Sequence, residues 1–211
     1  MRRDSILFFF LYIENNKQMN IIQIGCNDCN DEVFKFVVNN ANKINNFVAI
    51  DALPKATDIA RNKYSFLGDK LTVINCAVGL KSGLLSFYYP QNDNISGHAS
   101  LSLDHLKGHA HKIINKIVIP TIEINTLMSD IVEEIGQINR FYMDTEGFDV
   151  PLLMQLDIDK YKIDYLEFEY VHSDGVHKVG ENLNKLLEKL KINYNSINKS
   201  GEYNIIAQSL K

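Results

Sequence analysis

The sequence predicts an α/β domain in which helices cover both faces of a doubly wound, mostly parallel sheet of seven strands. Two observations lead to this fold class: short apolar runs rich in β-branched residues recur along the chain, and helical patterns separate them. With 211 residues, of which 45% are hydrophobic, the chain can bury one sizeable core. We therefore expect a single domain over residues 1–211, with residues 1–18 as an N-terminal extension.

Five apolar runs predict the buried parallel strands: NIIQIG, NFVAID, LTVINCAV, RFYMD and DYLEFEYV. The helix expected after the first strand would be capped by Asn30 or Asp31. The apolar face of that helix would consist of Val33, Phe36, Val37 and Ile44. A weaker helical pattern follows the second strand at Ile59, Ala60 and Lys63.

Two further helices are expected after the fourth and fifth strands. Pro151 can occupy the first position of the earlier one, because that position needs no N–H donor. The later one has the clearest amphipathic stripe of the chain: Val179, Leu183, Leu186, Leu187 and Leu190. These helices complete the alternation of strand and helix that a doubly wound sheet requires.

Two segments depart from this alternation. The runs INYNSIN and YNIIAQS flank KSGE and predict a C-terminal antiparallel hairpin. Residues 84–120 form an insertion between the third and fourth strands, in which two strand-like runs flank the polar, histidine-bearing segment 97–112. A long insertion over the carboxyl edge of the sheet would be a substrate-facing lid.

Charge and N-terminal pattern limit the partners and the location. The formal charge of −4 comes from interspersed acids and bases without a basic stripe, so we expect no nucleic-acid partner. Arg2 and Arg3 precede the run ILFFFLYI, which is shorter than the roughly 20 apolar residues of a membrane span and lacks a small-residue cleavage site. We expect it to pack as a helix or strand, with targeting as the alternative, and no membrane partner. Three cysteines make no disulfide framework, which favours a reducing, cytoplasmic location.

The loop after the first strand indicates the cofactor. It contains one glycine, Gly25, whereas a dinucleotide site needs G-x-G-x-x-G, and Asp28 would repel a phosphate. A cationic cofactor without phosphate, S-adenosylmethionine, fits better. Asn27 and Asp28 would contact its amino-acid end, and Asp51 would accept hydrogen bonds from both ribose hydroxyls. Residues after the second and third strands would complete the site: Ala52, Asn75, Cys76 and Ala77. The alternative is that Asp28 and Asp51 only cap helices.

The cysteines and histidines raise the question of a metal site. The available residues are the pair Cys26-x-x-Cys29, Cys76, His98, His105, His109 and His111. Zinc sites usually show two paired ligand motifs at set spacing, and only one pair is present. We therefore expect no metal, but a core cysteine, a loop cysteine and solvated histidines.

Acidic residues follow the fourth and fifth strands. If the first and fourth strands are neighbours, Asp144 and Glu146 lie beside the first loop, and Gly147 lets the chain turn and leaves room for a ligand. Glu169 and His172 end the fifth strand. A hydroxyl acceptor of a methyl group needs a base, and these four residues are the candidates. Each of them is alternatively structural, for instance as a helix cap.

These segments together resemble one family. IIQIGCNDCND is similar to the first motif of the FkbM-type S-adenosylmethionine-dependent methyltransferases, and AIDALP, INCAVG, YMDTEGFD and LEFEYVH resemble the later ones. Cys29 stands where the family usually has a second glycine, and Asp51 replaces the usual glutamate. The resemblance implies a Rossmann-like class I methyltransferase fold and O-methylation of a small molecule or sugar.

The leading hypothesis is therefore an O-methyltransferase that acts on a hydroxyl of a small molecule, with a sugar or glycan favoured. The polar insertion suits a polyol, and His98, Ser100 and Ser102 are its candidate acceptor contacts. Two alternatives stay open: a nucleotide-dependent oxidoreductase on the same sheet, and an inactive methyltransferase-like binding protein. The sequence does not predict the oligomeric state.

Overall fold

The computed structural model describes residues 18–91 and 97–209. The N-terminal run ILFFFLYI, expected to pack as a helix or strand, lies outside the described residues. Among the helices in the described ranges, none has the length and apolar character needed to cross a bilayer.

The described residues form ten strands and seven α-helices. The strands are β1 (Met19–Ile24), β2 (Ile44–Asp51), β3 (Leu71–Asn75), β4 (Ala77–Gly79), β5 (Gly83–Pro90), β6 (Ile114–Glu123), β7 (Arg140–Met143), β8 (Tyr165–Glu169), β9 (Ser196–Ser200) and β10 (Asn204–Gln208). The helices are α1 (Glu32–Asn39), α2 (Pro54–Lys63), α3 (Leu103–Gly108), α4 (Ile124–Ile135), α5 (Asp149–Gln155), α6 (Ile158–Tyr161) and α7 (Glu181–Leu190). Two 3₁₀ turns lie at Ala41–Lys43 and Ser65–Lys70.

Seven strands form the main sheet in the order β3-β2-β1-β7-β8-β10-β9. Neighbouring strands from β3 to β8 are parallel, and β10 is antiparallel to both of its neighbours. The predicted fold class and the predicted C-terminal hairpin are confirmed. Ile24 pairs with Ile50 of β2 and with Met143 of β7, so these three strands end at the same level. The winding reverses between β1 and β7, which is where an open α/β sheet binds its ligand.

A second sheet, in the order β4-β6-β5, lies outside the main sheet. The run LTVINCAV, expected to be one strand, is two: β3 belongs to the main sheet, and β4 pairs with β6. The chain leaves the main sheet at Cys76, between these two strands. The insertion at residues 84–120 thus contributes most of β5 and β6, which pair antiparallel, together with α3.

The core has one cluster on each face of the main sheet, as the predicted double winding requires. Successive β1 residues alternate between them: Ile21 packs in the cluster that contains Phe47 and Tyr64, and Ile22 and Ile24 pack in the opposite one. Helices α1 and α2 contribute to the first cluster, and α4, α5 and α7 contribute to the second. Both faces of β1 are therefore buried, which explains its continuous apolar run.

The boundaries of the first helix differ from the prediction. Asp31 caps α1 by accepting a hydrogen bond from the Phe34 N–H at 2.7 Å, so of the two expected caps Asp31 is the actual one. The helix ends at Asn39 because the Asn40 side chain bonds the Phe36 carbonyl at 2.8 Å. Ile44 therefore begins β2 and is not part of the helix face.

Two later boundaries also differ. Helix α5 begins at Asp149, two residues before Pro151, and the proline occupies its first turn. Val179 precedes α7 and is 49% exposed, so it does not belong to the buried stripe of that helix. Leu183, Leu186 and Leu190 of the same stripe are buried as predicted.

Lys189 of α7 should contribute to stability through the end of α5. Its ammonium donates to the carbonyls of Leu153 at 3.0 Å and Met154 at 2.8 Å, in the last turn of α5, and to that of Leu156 at 2.6 Å, just after the helix. We expect Lys189→Met to lower the free energy of unfolding by about 1–3 kcal/mol, because methionine keeps the stem and loses these bonds. Urea denaturation measures the change.

Lys185→Met is the matched control in the same helix. Lys185 makes one ion pair, with Glu181, and both side chains are mostly exposed. The control should leave the urea midpoint nearly unchanged, because an exposed ion pair contributes little to stability. Equal losses in the two variants would show that the three carbonyl contacts add nothing to stability.

Candidate active site

The centre of the site is the close approach of the chain after β1 to the chain after β7. Gly25 has φ +78°, and a Cβ atom at this position would lie 1.7 Å from the Asp144 carbonyl oxygen. The Gly25 N–H donates to the Ile50 carbonyl oxygen at 2.9 Å, and the Asp144 N–H donates to the Ile24 carbonyl oxygen at 2.9 Å. Residue 25 must therefore be glycine for the two loops to emerge side by side.

Asp51, at the end of β2, shapes the first loop. One carboxylate oxygen accepts the N–H groups of Cys26 and Asn27, each at 3.0 Å, and the other accepts that of Leu53 at 2.9 Å. Burial raises the pKa of Asp51, and these hydrogen bonds oppose the rise. Asn27 has φ +44°, so the loop bends there around the carboxylate.

A cleft opens above these strand ends and encloses about 660 Å³ of space, part of which is open solvent. It is lined by most of the predicted cofactor residues: Gly25, Asn27, Asp51, Ala52, Cys76 and Ala77. Asp28 lies outside the lining, and its carboxylate accepts the N–H of Asn30 at 2.9 Å. Asn75 also lies outside it and donates to the carbonyls of Asp51 at 3.0 Å and Ala52 at 3.1 Å.

The opposite side of the cleft carries Asp144, Thr145 and Glu146. Asp149 holds this turn, because its carboxylate accepts the Thr145 N–H at 3.1 Å and the Thr145 hydroxyl at 2.8 Å. Asp144 is exposed at the edge of the cleft, but the surrounding protein still removes much of the water around its carboxyl group. This burial, and then the nearby charge of Asp149, raise the pKa of Asp144. Sequence analysis missed Asp149, although an acid in the first turn of a helix was visible.

Glu146 connects the cleft to the insertion. Its Oε2 lies 3.3 Å from Nε2 of His105, which is buried. Burial, followed by the charges of Asp144 and Glu169, raises the pKa of Glu146 to about 10. Burial and the neighbouring histidines lower the pKa of His105 to about 3. Both groups are therefore uncharged at neutral pH.

Glu169 and His172, the other two candidate bases, are not among the residues that line the cleft. Glu169 Oε1 lies 3.6 Å from His172 Nε2, and Glu169 Oε2 is buried without a hydrogen-bond partner. Burial raises the pKa of Glu169 to about 9 and lowers that of His172 to about 4. This pair lies behind Glu146 as seen from the cleft, and a catalytic role for it stays a prediction.

The predicted acceptor contacts alternate with the residues that line the cleft. Gly97, Ala99 and Leu101 line it, whereas His98, Ser100 and Ser102 do not. The Ser100 hydroxyl donates to the Glu146 carbonyl at 2.9 Å, and Ser102 caps α3 by accepting the His105 N–H at 3.3 Å. His98 stacks on His109 with ring centroids 4.2 Å apart. The period of two in an extended segment was the signal that could have identified the lining residues.

The expectation of solvated histidines is wrong for this part of the chain. His105 and His172 are buried, and His98, His109 and His111 are only partly exposed. All three cysteines are buried free thiols, including Cys29 in the first loop. Burial raises the pKa of Cys76 to about 11, so this thiol is protonated at neutral pH.

Two glycine substitutions should distinguish the stability cost of the clash at residue 25 from the cost of backbone strain. Gly25 has φ +78° and Gly136 has φ +79°, but a Cβ atom at Gly136 meets nothing within 4 Å. Gly136→Ala should cost about 1–3 kcal/mol of stability through backbone strain alone, because φ +79° with ψ −152° is a conformation that essentially only glycine adopts. Gly25→Ala adds the clash with Asp144 to the strain of a positive φ, so it should cost clearly more.

The two variants should also differ in cofactor binding. We expect Gly25→Ala to weaken S-adenosylhomocysteine binding by at least about 10-fold, because the cofactor loop must move away from Asp144. Gly136→Ala should bind like the unchanged protein. Thermal unfolding and calorimetry measure both effects, and equal behaviour of the two variants would refute the close contact.

A solved structure shares this fold. An FkbM methyltransferase from Methylobacillus flagellatus KT matches with a TM-score of 0.58 and 12% identity, over 90% of this chain and 43% of that one. The chain thus spans less than half the length of that protein. The SAH-bound Podospora anserina methyltransferase PaMTH1 matches with a TM-score of 0.48 and 11% identity, over 100% and 80% of the two chains. The SAH complex of M. capricolum TrmK matches with a TM-score of 0.42 and 17% identity, over 93% and 64%.

At these identities, structural similarity shows the fold alone. No curated protein matches the sequence significantly. A family model, described as the methyltransferase FkbM domain, matches residues 23–194, which is most of the chain. This match confirms the family resemblance, and it includes the loop after β1 and the turn after β7. The chain therefore belongs to the methyltransferase FkbM domain family.

Proposed function

We propose that the protein transfers a methyl group from S-adenosylmethionine to a hydroxyl group of a small molecule, with a sugar or glycan as the favoured acceptor. The observation that carries the proposal is the cleft at the switch point, which has Asp51 on one side and Asp144 with Glu146 on the other. In this proposal Asp51 is the cofactor-binding acid, and Asp144 and Glu146 are the candidate bases at the same cleft.

The residues around the cleft fit a cationic cofactor. Asn27 and Asp51 offer amide and carboxyl oxygens, which suit an ammonium and a sulfonium group, and apolar side chains such as Phe87 exclude water. A carboxylate has about four acceptor sites, and backbone N–H groups use three of those on Asp51. We therefore propose that Asp51 accepts from one ribose hydroxyl and not from both. When bound, the cofactor supplies a methyl group that is already activated for displacement.

Among the candidate bases, the geometry favours Asp144. It borders the cleft, and its raised pKa brings it closer to neutral pH, where a general base is most effective. Glu146, protonated at neutral pH, can instead donate a hydrogen bond that orients the acceptor. Glu169 and His172 would act through Glu146, as positioning residues.

The lining of the cleft supports a polyol as the proposed acceptor. Asn27, Thr145 and Glu146 place polar groups next to apolar walls, as a polyol with hydroxyl groups on one face requires. In the structure Ser100 and Ser102 are engaged within the insertion, so their contact with an acceptor requires the segment to rearrange. We keep a small-molecule acceptor, a cytoplasmic location, and the absence of nucleic-acid and membrane partners as parts of the proposal.

Calorimetry with S-adenosylmethionine, S-adenosylhomocysteine and NAD tests this function against its alternatives. Binding of the two methionine-derived ligands without NAD supports a methyltransferase, NAD binding alone supports an oxidoreductase, and no binding supports an inactive protein. Nucleotide sugars, glycans and RNA are then screened for a mass gain of one methylene. Methylation of RNA but not of any sugar would contradict the proposed acceptor class.

Removal of the charge at Asp144 should slow the chemical step. We expect Asp144→Asn to reduce single-turnover methylation by roughly 10²–10⁴-fold and to leave S-adenosylhomocysteine affinity nearly unchanged. Glu146→Gln keeps a hydrogen-bond donor and should reduce the rate less. The amides keep the shape of the side chains, so a purely structural role predicts lower thermal stability with proportionate activity.

Glu167→Gln provides the control for this measurement. Glu167 is a partly buried acid on β8, bonded to Tyr165 and Asn204, and it does not line the cleft. Its turnover should stay near that of the unchanged protein. Near-normal turnover in both test variants would indicate that Glu169 or His172 is the general base.

A further inference from the structure

All six histidines of the sequence come together at one place beside the cleft. They are His98, His105, His109, His111, His172 and His177, and neighbouring rings have centroids 4.2–6.4 Å apart. Four come from the insertion and two from the loop after β8. Imidazole rings are polar, so a buried group of them needs partners that the hydrophobic core does not provide.

Four side chains in this region form a compact ligand set. One ligand atom from each of His105, His109, His172 and Glu146 lies within 4.8 Å of all the others. In a tetrahedral zinc site with bonds of about 2.0–2.1 Å, the ligand atoms are about 3.3 Å apart. Small side-chain movements toward a common centre would therefore close the set around one ion.

The hydrogen bonding of the set is incomplete without an ion. Nε2 of His109 is buried and has no hydrogen-bond partner, which is costly for a polar atom. Nε2 of His105 and Oε2 of Glu146 face each other at 3.3 Å, a long distance for a hydrogen bond. An ion between them would satisfy all three atoms.

Glu169 occupies the position of an outer carboxylate. Histidines that bind metals usually donate their other ring N–H to a carboxylate or carbonyl, and Glu169 Oε1 lies 3.6 Å from His172 Nε2. His172 would then bind the ion through Nδ1. This atom now accepts a hydrogen bond of 3.0 Å from the His177 backbone N–H, and the ion would replace that bond. The buried Oε2 of Glu169, which has no partner, belongs to the same arrangement.

The spacing of the ligands supports the same conclusion. His105 and His109 are four residues apart at the end of α3, which places both rings on one face. Such a pair is the helical form of a metal motif, and sequence analysis did not consider it because it looked for paired cysteines. Glu146 and His172 come from the turns after β7 and β8, so the set joins the insertion to the main sheet.

We propose that His105, His109, His172 and Glu146 bind one divalent transition-metal ion, which fastens the insertion to the carboxyl edge of the sheet. Imidazole and carboxylate ligands suit Zn²⁺, whereas Mg²⁺ and Ca²⁺ prefer oxygen ligands alone. The proposal replaces the expectation of no metal. Glu146 is protonated and can donate a hydrogen bond without the ion, and it is an ionised ligand when the ion is bound. It does not depend on the methyl acceptor, because metal binding can be measured without turnover.

Zinc titration of the untagged full chain tests the site. After removal of metal with a chelator, competition with a chromophoric chelator should show one Zn²⁺ per chain with a sub-micromolar Kd. Excess Mg²⁺ should not displace it. At a free Zn²⁺ concentration 100 times the Kd, the Tm should rise by roughly 5–10 °C. Absence of binding tighter than about 10 μM would overturn the proposal, whether or not the protein methylates anything.

Ligand variants identify the residues. His105→Ala and His109→Ala should each weaken zinc binding by at least about 100-fold, because loss of an outer partner alone costs 10–100-fold. His111→Ala is the matched control: it belongs to the same insertion but not to the ligand set, and its Kd should stay within about 3-fold. If circular dichroism shows that an alanine variant does not fold, the asparagine variant of the same histidine, which keeps a polar side chain, takes its place. Equal losses in the control and the ligand variants, or no loss in the latter, would refute this ligand set.

Discussion

The architecture of the site depends on the contact between the backbones of Gly25 and Asp144. Hydrogen bonds from Gly25 to Ile50, and from Asp144 to Ile24, continue the parallel ladders of β1 one step beyond the strand ends. The loops after β1, β2 and β7 consequently start from one rigid platform. A side chain at residue 25 would force the loop that carries Asn27 away from the turn that carries Glu146, and the cleft between them would lose its shape.

The close approach of these loops also determines the electrostatics of the cleft, because it brings several acids together. Asp51, Asp144, Glu146 and Glu169 all have raised pKa values, and burial is the largest cause in each case. The protein therefore holds many acidic groups in a region where few of them can be charged at once. A cation in the cleft would favour their ionised forms, since a nearby opposite charge lowers the pKa of a carboxyl. Binding of a cationic cofactor and ionisation of the acids should thus reinforce each other.

The parts of the fold that sequence predicted are those governed by local patterns. Apolar runs identified the strands of the main sheet, and acids at strand ends identified Asp51 and Asp144. The prediction failed where distant segments decide the outcome. The run LTVINCAV divides at Cys76 because β4 pairs with β6, some forty residues later in the chain. The histidines meet because the insertion folds against the turns after β7 and β8, and no periodicity reports such a contact.

Gly147 shows how far the insertion and the active-site turn depend on each other. The sequence suggested that this glycine leaves room for a ligand, but a Cβ atom there would lie 2.7 Å from Nδ1 of His105, so the space is filled by the insertion. The Ser100 hydroxyl holds the Glu146 carbonyl in the adjacent position. The turn with the candidate bases is therefore packed against the insertion. Because Ser100 and His105 both contact Glu146, the position of the insertion and the geometry of this acid depend on each other.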